Sequence, residues 1–164
     1  MKPTGVAILC AVAYLAFRIM LFMANMQHQV LVEAPFIPLF GLIFIGVTYV
    51  ILRYNRTAVA YNWVEAFKAG GRVVLLSAVI ASLGVWFYYT VIDPDYLELV
   101  TIDFYNRRKA EGFNEAQLTN YLEVMNFINR PFTRSTLLLS GMVALGLISS
   151  LMLAWMVKVF LRSR

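Results

Sequence analysis

Four apolar stretches, each long enough to cross a bilayer, take up most of this 164-residue chain. They cover about 5–26, 35–52, 73–92 and 135–160. At 1.5 Å of rise per residue, a helix of about 22 residues spans about 33 Å, enough for the hydrocarbon core. In hydrocarbon every backbone amide must find its partner inside the protein, and so few long spans cannot close a barrel. Each stretch is therefore expected to be a helix. The implied fold class is all-α: a polytopic membrane protein, 1–164 a single membrane domain with four transmembrane helices.

Composition agrees. Apolar residues make up 61% of the chain and charged residues 14%, against roughly 25% charged in soluble domains, and mean hydropathy is +0.72. The net charge of +5 does not point to nucleic acid, because the lysines and arginines flank the apolar stretches, where they act as topology signals. The single Cys10 excludes an internal disulfide framework, and with one histidine, His28, it leaves no ligand set for structural zinc. No metal and no cofactor is expected.

The charges sort by side. The loop 53–72 carries Arg53, Arg56, Lys68 and Arg72 against Glu65, and the ends add Lys2, Lys158, Arg162 and Arg164. The other side holds Glu33, Asp93, Asp95, Glu98, Asp103, Glu111, Glu115 and Glu123 against five basic residues, Arg107, Arg108, Lys109, Arg130 and Arg134. Basic residues mark the cytoplasmic side, so both termini and the loop 53–72 are expected there. Lys2 and residues 6–17 would suit the first two regions of a cleaved signal. However, Arg18 and more apolar residues follow without a small-residue cleavage site, so a retained first helix is expected.

Between the third and fourth spans, residues 93–130 form the one sizeable polar insert. Asp93-Pro94 reads as an N-cap followed by proline in the first helical position. Tyr96, Val100 and Phe104 then share a face, Gly112 stops the helix, and Asn114 with Gln117 resembles a capping box. The next helix presents Leu118, Tyr121, Leu122, Met125 and Ile128 as a stripe. The insert is expected to be an extracytoplasmic amphipathic helical hairpin, its apolar face on the bilayer or the bundle. In the loop 53–72 a short interfacial helix with Trp63 and Phe67 is expected, with Gly70-Gly71 as a hinge before the third span.

The stretch YNWVEAFKAGGRVVLLSAVIASLGVWFYYTVIDPDYLE, from Tyr61 onward, resembles domain-of-unknown-function family 4199, small bacterial inner-membrane proteins. The carrying features are Trp63, Glu65, Ala66, Phe67, Lys68 and Gly70, then the aromatic cluster before Pro94 and Asp95, the KAEGFNEAQL turn, and NRPF before the fourth span. The resemblance covers about Arg53 to the C-terminus, the first two spans matching in hydropathy. It implies architecture and the bacterial inner membrane, and it assigns no active residues. It also implies an accessory role beside a protein partner such as a membrane glycosyltransferase of polyprenyl-phosphate type.

Among single residues Arg18 is the sharpest anomaly. It lies about 13 Å of helix from the outer end of the first span, and a cation at such depth costs at least about 2.5–3.5 kcal/mol. Either it snorkels or pairs with Asp93 or Glu33, or it binds a lipid headgroup or other anion bidentately. Tyr14, one turn below, lines the same face. Met20, Met23 and Met26 ahead of His28 would suit copper(I), but a spacing of three spreads the sulfurs and methionine is ordinary apolar filler. Asp93, Asp95, Glu98 and Asp103 lack the spacing of a calcium loop and read as a cap and solvated face. No nucleophile–His–acid set and no phosphate-cradling glycine loop is present, so no catalytic residue is assigned. Gly146, Ser150 and Ala154, spaced by four, let helices approach closely, within this bundle or at a seam with a partner.

The expected function is a non-enzymatic membrane accessory or scaffold subunit that binds a membrane protein partner, a second copy of itself, or lipid. Its candidate surfaces are the hairpin stripe, the small-residue seam and Arg18. The alternative is a small oligomeric transporter of lipid or small molecules using Arg18.

Overall fold

The computed structural model describes residues 1–26, 36–57 and 60–160, and its regular structure is helical throughout. The helices are α1 (Pro3–Met23), α2 (Ile37–Thr57), α3 (Trp63–Phe87) continued by a π-helical turn (Tyr88–Ile92), α4 (Tyr96–Ala110), α5 (Glu115–Ile128) and α6 (Pro131–Phe160). With the π turn counted into α3, four are long and apolar enough to cross a membrane: α1, α2, α3 and α6. Helix α3 is the hub, packing against α6, α1 and α2.

The bundle is built on small residues. Along α1 the buried positions are Val6, Ala7, Cys10, Ala11, Tyr14, Arg18 and Leu21, while Ile8, Leu9, Val12, Ile19 and Met20 face outward. The inward face is the smaller and more polar one. Lipid tails solvate leucine as well as a protein core does, so helices associate in lipid through close approach and hydrogen bonds. Ser77 donates to the Ala7 carbonyl at 3.1 Å, and Ser82 to the Ser135 carbonyl at 2.7 Å.

The same logic fills the α6 seam. Gly146, Ser150 and Ala154 are buried against this chain's own α3. A Cβ on Gly146 would lie 2.5 Å from Val74, and one on Gly70 would run into the Ser150 hydroxyl. That hydroxyl donates to the Phe67 carbonyl at 3.3 Å, and Tyr61 donates to the Ala154 carbonyl at 2.8 Å.

Several boundaries differ from the sequence expectation. Helix α3 starts at Trp63, capped by Asn62 accepting from the Val64 amide at 3.0 Å, and runs unbroken through Gly70-Gly71. The separate interfacial helix and hinge are absent from this stretch because the glycines are contact points: Gly70 meets α2 and α6, and Gly71 faces Leu147. Helix α6 begins at Pro131, one turn before Ser135.

Helices α4 and α5 pair as a hairpin. Gly112 turns the chain at φ +86°, a conformation that glycine adopts without Cβ strain. The reciprocal Asn114–Gln117 capping bonds, 3.0 and 2.9 Å, start α5. Arg108 closes the turn by pairing with Glu111 at 2.7 Å and covering the rings of Phe113 and Tyr121. The start of α4 differs from expectation. Asp93 is not its N-cap, because its carboxylate accepts the Tyr88 hydroxyl at 3.1 Å, and the helix begins at Tyr96.

Candidate functional site: a caged arginine beside a lateral cavity

Arg18 is 1% exposed. Its guanidinium lies over three tyrosine rings, 4.6 Å from the centroid of Tyr88, 5.1 Å from Tyr89 and 5.5 Å from Tyr96. Tyr89 and Tyr96 stack at 5.5 Å, and Phe22 meets Tyr88 edge-on. None of the three guanidinium nitrogens makes a well-formed hydrogen bond among the described residues. A desolvated cation over an aromatic face gains about 2 kcal/mol, so two or more faces can offset the about 2.5–3.5 kcal/mol cost of the buried charge.

Asp93, one carboxylate expected to reach Arg18, is instead held one group away: it takes the hydroxyl of the tyrosine beneath the guanidinium. Glu33, the other, lies outside the described residues, as do His28 of the copper reading, Pro35, Arg162 and Arg164. The cage joins Arg18 and Tyr14 of α1, Tyr88 and Tyr89 of the π turn, and Tyr96 of α4. The charge therefore anchors the hairpin to the bundle.

The π turn makes this possible. In an α-helix successive residues do not share a face, yet Tyr88 and Tyr89 are both buried beside Arg18. The wider turn, closed by the Asp93 amide donating to the Tyr88 carbonyl at 2.9 Å, brings both rings inward. Such π turns are frequent at functional positions. Burial pushes the Tyr96 phenol up to about 12, so it stays neutral within the cage at neutral pH.

On the other side of Tyr14 and Tyr89 lies a partly open cavity of about 510 Å³. Tyr121, Met125 and Ile128 of α5 roof it with Phe104 of α4, and α6 walls it with Arg134, Leu137, Leu138, Gly141, Met142 and Leu145. The lining is mostly apolar, and among the described residues Arg134 is its one full charge. Asn129 steadies that charge: it donates to the Thr101 hydroxyl at 2.8 Å and accepts from Arg134 at 3.5 Å.

The candidate residues thus separate. Arg18 and Tyr14 come together, in a sealed cage. The hairpin stripe turns inward rather than outward: Leu118 is buried, Leu122 is half-buried, and Tyr121 and Met125 face the cavity. Val124 and Phe127 are the apolar α5 residues left exposed, at 55% and 59%. The residues that sequence reasoning missed are Tyr88, Tyr89, Tyr96 and Arg134. For Tyr88 and Tyr89 the signal was the aromatic cluster ending the third span, while Tyr96 and Arg134 stood out only as a face residue and a flanking charge.

The family model described as protein of unknown function (DUF4199) matches residues 6–159. The chain belongs to that family. No curated protein and no solved structure matches it. The DUF4199 match takes in the cage, the cavity and the hairpin together, so all three belong to the family region of the chain.

Proposed function

We propose that this DUF4199 chain is a non-enzymatic accessory subunit of the bacterial inner membrane, docking a membrane protein partner through the outer face of its hairpin. Both termini lie in the cytoplasm in this reading, and the hairpin lies outside. The observation that carries it is the set of exposed apolar residues on the two described helices that belong to no span: Leu99 and Ile102 on α4, Val124 and Phe127 on α5. Exposed lipid-facing residues are ordinary on a span, but beyond the spans an apolar face marks a contact with another surface. The partner class that the family resemblance implies is a membrane glycosyltransferase of polyprenyl-phosphate type. The sealed state of Arg18 weighs against transport through it, because a carrier needs a wet site near midplane.

The test is affinity purification from native membranes in mild detergent, with co-eluting proteins identified by mass spectrometry. A stoichiometric partner is expected, lost from the double variant Val124→Glu/Phe127→Glu while the variant still inserts. A partner retained by that variant, or none from wild type, removes the docking reading. The orientation is tested separately by a cysteine at Asn120, which an impermeant maleimide should label from outside.

A further inference from the structure

The cavity under the hairpin has its own chemistry, separate from the outer hairpin face. We propose that it binds one anionic phospholipid, with the phosphate held by Arg134 and one acyl chain laid along α6 beneath the α5 roof.

Its shape is that of one leaflet. Arg134 lies one turn into α6, and Leu145 is the deepest α6 residue on the wall. At helical rise the two are about 16 Å apart, close to half of the ~30 Å hydrocarbon thickness. The charged end and the apolar end are therefore separated by about the depth that a phosphate and its acyl chain occupy. The cavity volume, about 510 Å³, lies within the ~300–1,000 Å³ range of small-ligand sites.

Access comes from the bilayer. The cavity is partly open, and Leu137 and Leu145 of its lining are about half exposed, so a chain can slide in sideways without leaving hydrocarbon. Gly141 sits midway along the wall, and a Cβ there would meet nothing within 4 Å. The space is real at the position where a chain would pass.

The charge selects the head. Arg134 makes no ion pair among the described residues, only the long bond to Asn129. Arg18 lies behind the Tyr14–Tyr89 wall, and the nearby carboxylate of Asp93 is taken by Tyr88. Asp93 keeps its charge in that bond and offsets one of the two guanidinium groups, so among the described residues Arg134 is left as the unmatched charge on the lining. A guanidinium takes phosphate bidentately.

The purified full chain in neutral detergent is titrated with phosphatidylglycerol and, separately, phosphatidylcholine, and bound lipids are counted by native mass spectrometry. Wild type should retain one phosphatidylglycerol, about tenfold more tightly than phosphatidylcholine. Arg134→Gln should erase that preference while still binding a lipid. Gly141→Leu should weaken both lipids by about tenfold or more. The matched control is Gly41→Leu on α2, where a Cβ also meets nothing within 4 Å and which lies away from the cavity; it should bind as wild type. If Gly141→Leu does not fold, Leu145→Trp blocks the deep end instead. Equal affinity of wild type for both lipids overturns the headgroup assignment, and unchanged binding in the filled variant overturns the site. Neither outcome touches the docking reading, whose variants lie on the other face of α5.

Discussion

Helix α6 has two glycines five positions apart that meet opposite surroundings. At Gly146 a Cβ would collide with Val74, and at Gly141 it would meet nothing within 4 Å. The C-terminal half of α6 is closed on α3 by a ladder of small residues, while its N-terminal half stands off from the hairpin across a cavity. Glycine serves close approach in the first place and leaves room in the second. Within one helix the chain thus separates what it uses to hold itself together from what it leaves open.

The closed side should respond most strongly. Tyr88→Ala removes a ring that is 2% exposed, lies nearest Arg18 and donates to Asp93. Truncating a buried aromatic costs about 3–5 kcal/mol. Chemical unfolding in mixed micelles should read a loss of that size. The cage is tested further by the cycle with Arg18→Leu, where a coupling of about 2 kcal/mol is expected between cation and ring. Additive losses would mean that Arg18 and Tyr88 are neighbours without being partners.

Gly146→Leu comes next. Overpacking a filled contact costs about 1–3 kcal/mol, and Val74 cannot retreat because it is itself fully buried. The same unfolding measurement should show the loss. A neutral result would place Gly146 on a loose surface and dissolve the contrast with Gly141.

That contrast was only half legible in the sequence. The four spans and the hairpin could be read because length, hydropathy and the Gly112 and Asn114 signals are local. Arg18 could be read because a cation inside an apolar run stands out. The direction each face points could not. In water an apolar stripe marks the buried side, but in lipid both sides are apolar, so the stripe Leu118–Tyr121–Met125 left bundle, bilayer and partner open. The tyrosine cage escaped for another reason: an α-helical reading of the third span puts Tyr88 and Tyr89 on different faces, and only the π turn turns both inward. A cavity is a property of how elements stand apart, and no run of residues encodes it.

A smaller effect tests the roof. Asn114→Ala removes the capping bond to the Gln117 amide at the start of α5, which costs about 1 kcal/mol. Hydrogen exchange should show faster opening of α5 amides with α3 and α6 unchanged. Faster exchange throughout would mean that the hairpin and bundle unfold as one unit, against the picture of a roof held over a cavity.

The smallest expected change is the most informative about the open half. Gly141→Leu replaces the residue that weakens a helix interior by about 0.8–1.0 kcal/mol relative to alanine with a strong helix former. The new side chain enters space that is already apolar and unoccupied by protein. No neighbour has to move, so the overpacking term that dominates at Gly146 is absent, and the helix term decides the sign. Gly141→Leu should therefore unfold at the same or a slightly higher denaturant concentration than wild type, by up to about 1 kcal/mol. A loss like that of Gly146→Leu would mean that the hairpin closes on α6 more tightly than the cavity allows. A loss only when the variant is measured in bilayers rich in anionic lipid would mean that the wild-type cavity is filled there, and that the occupant contributes the stability the leucine displaces.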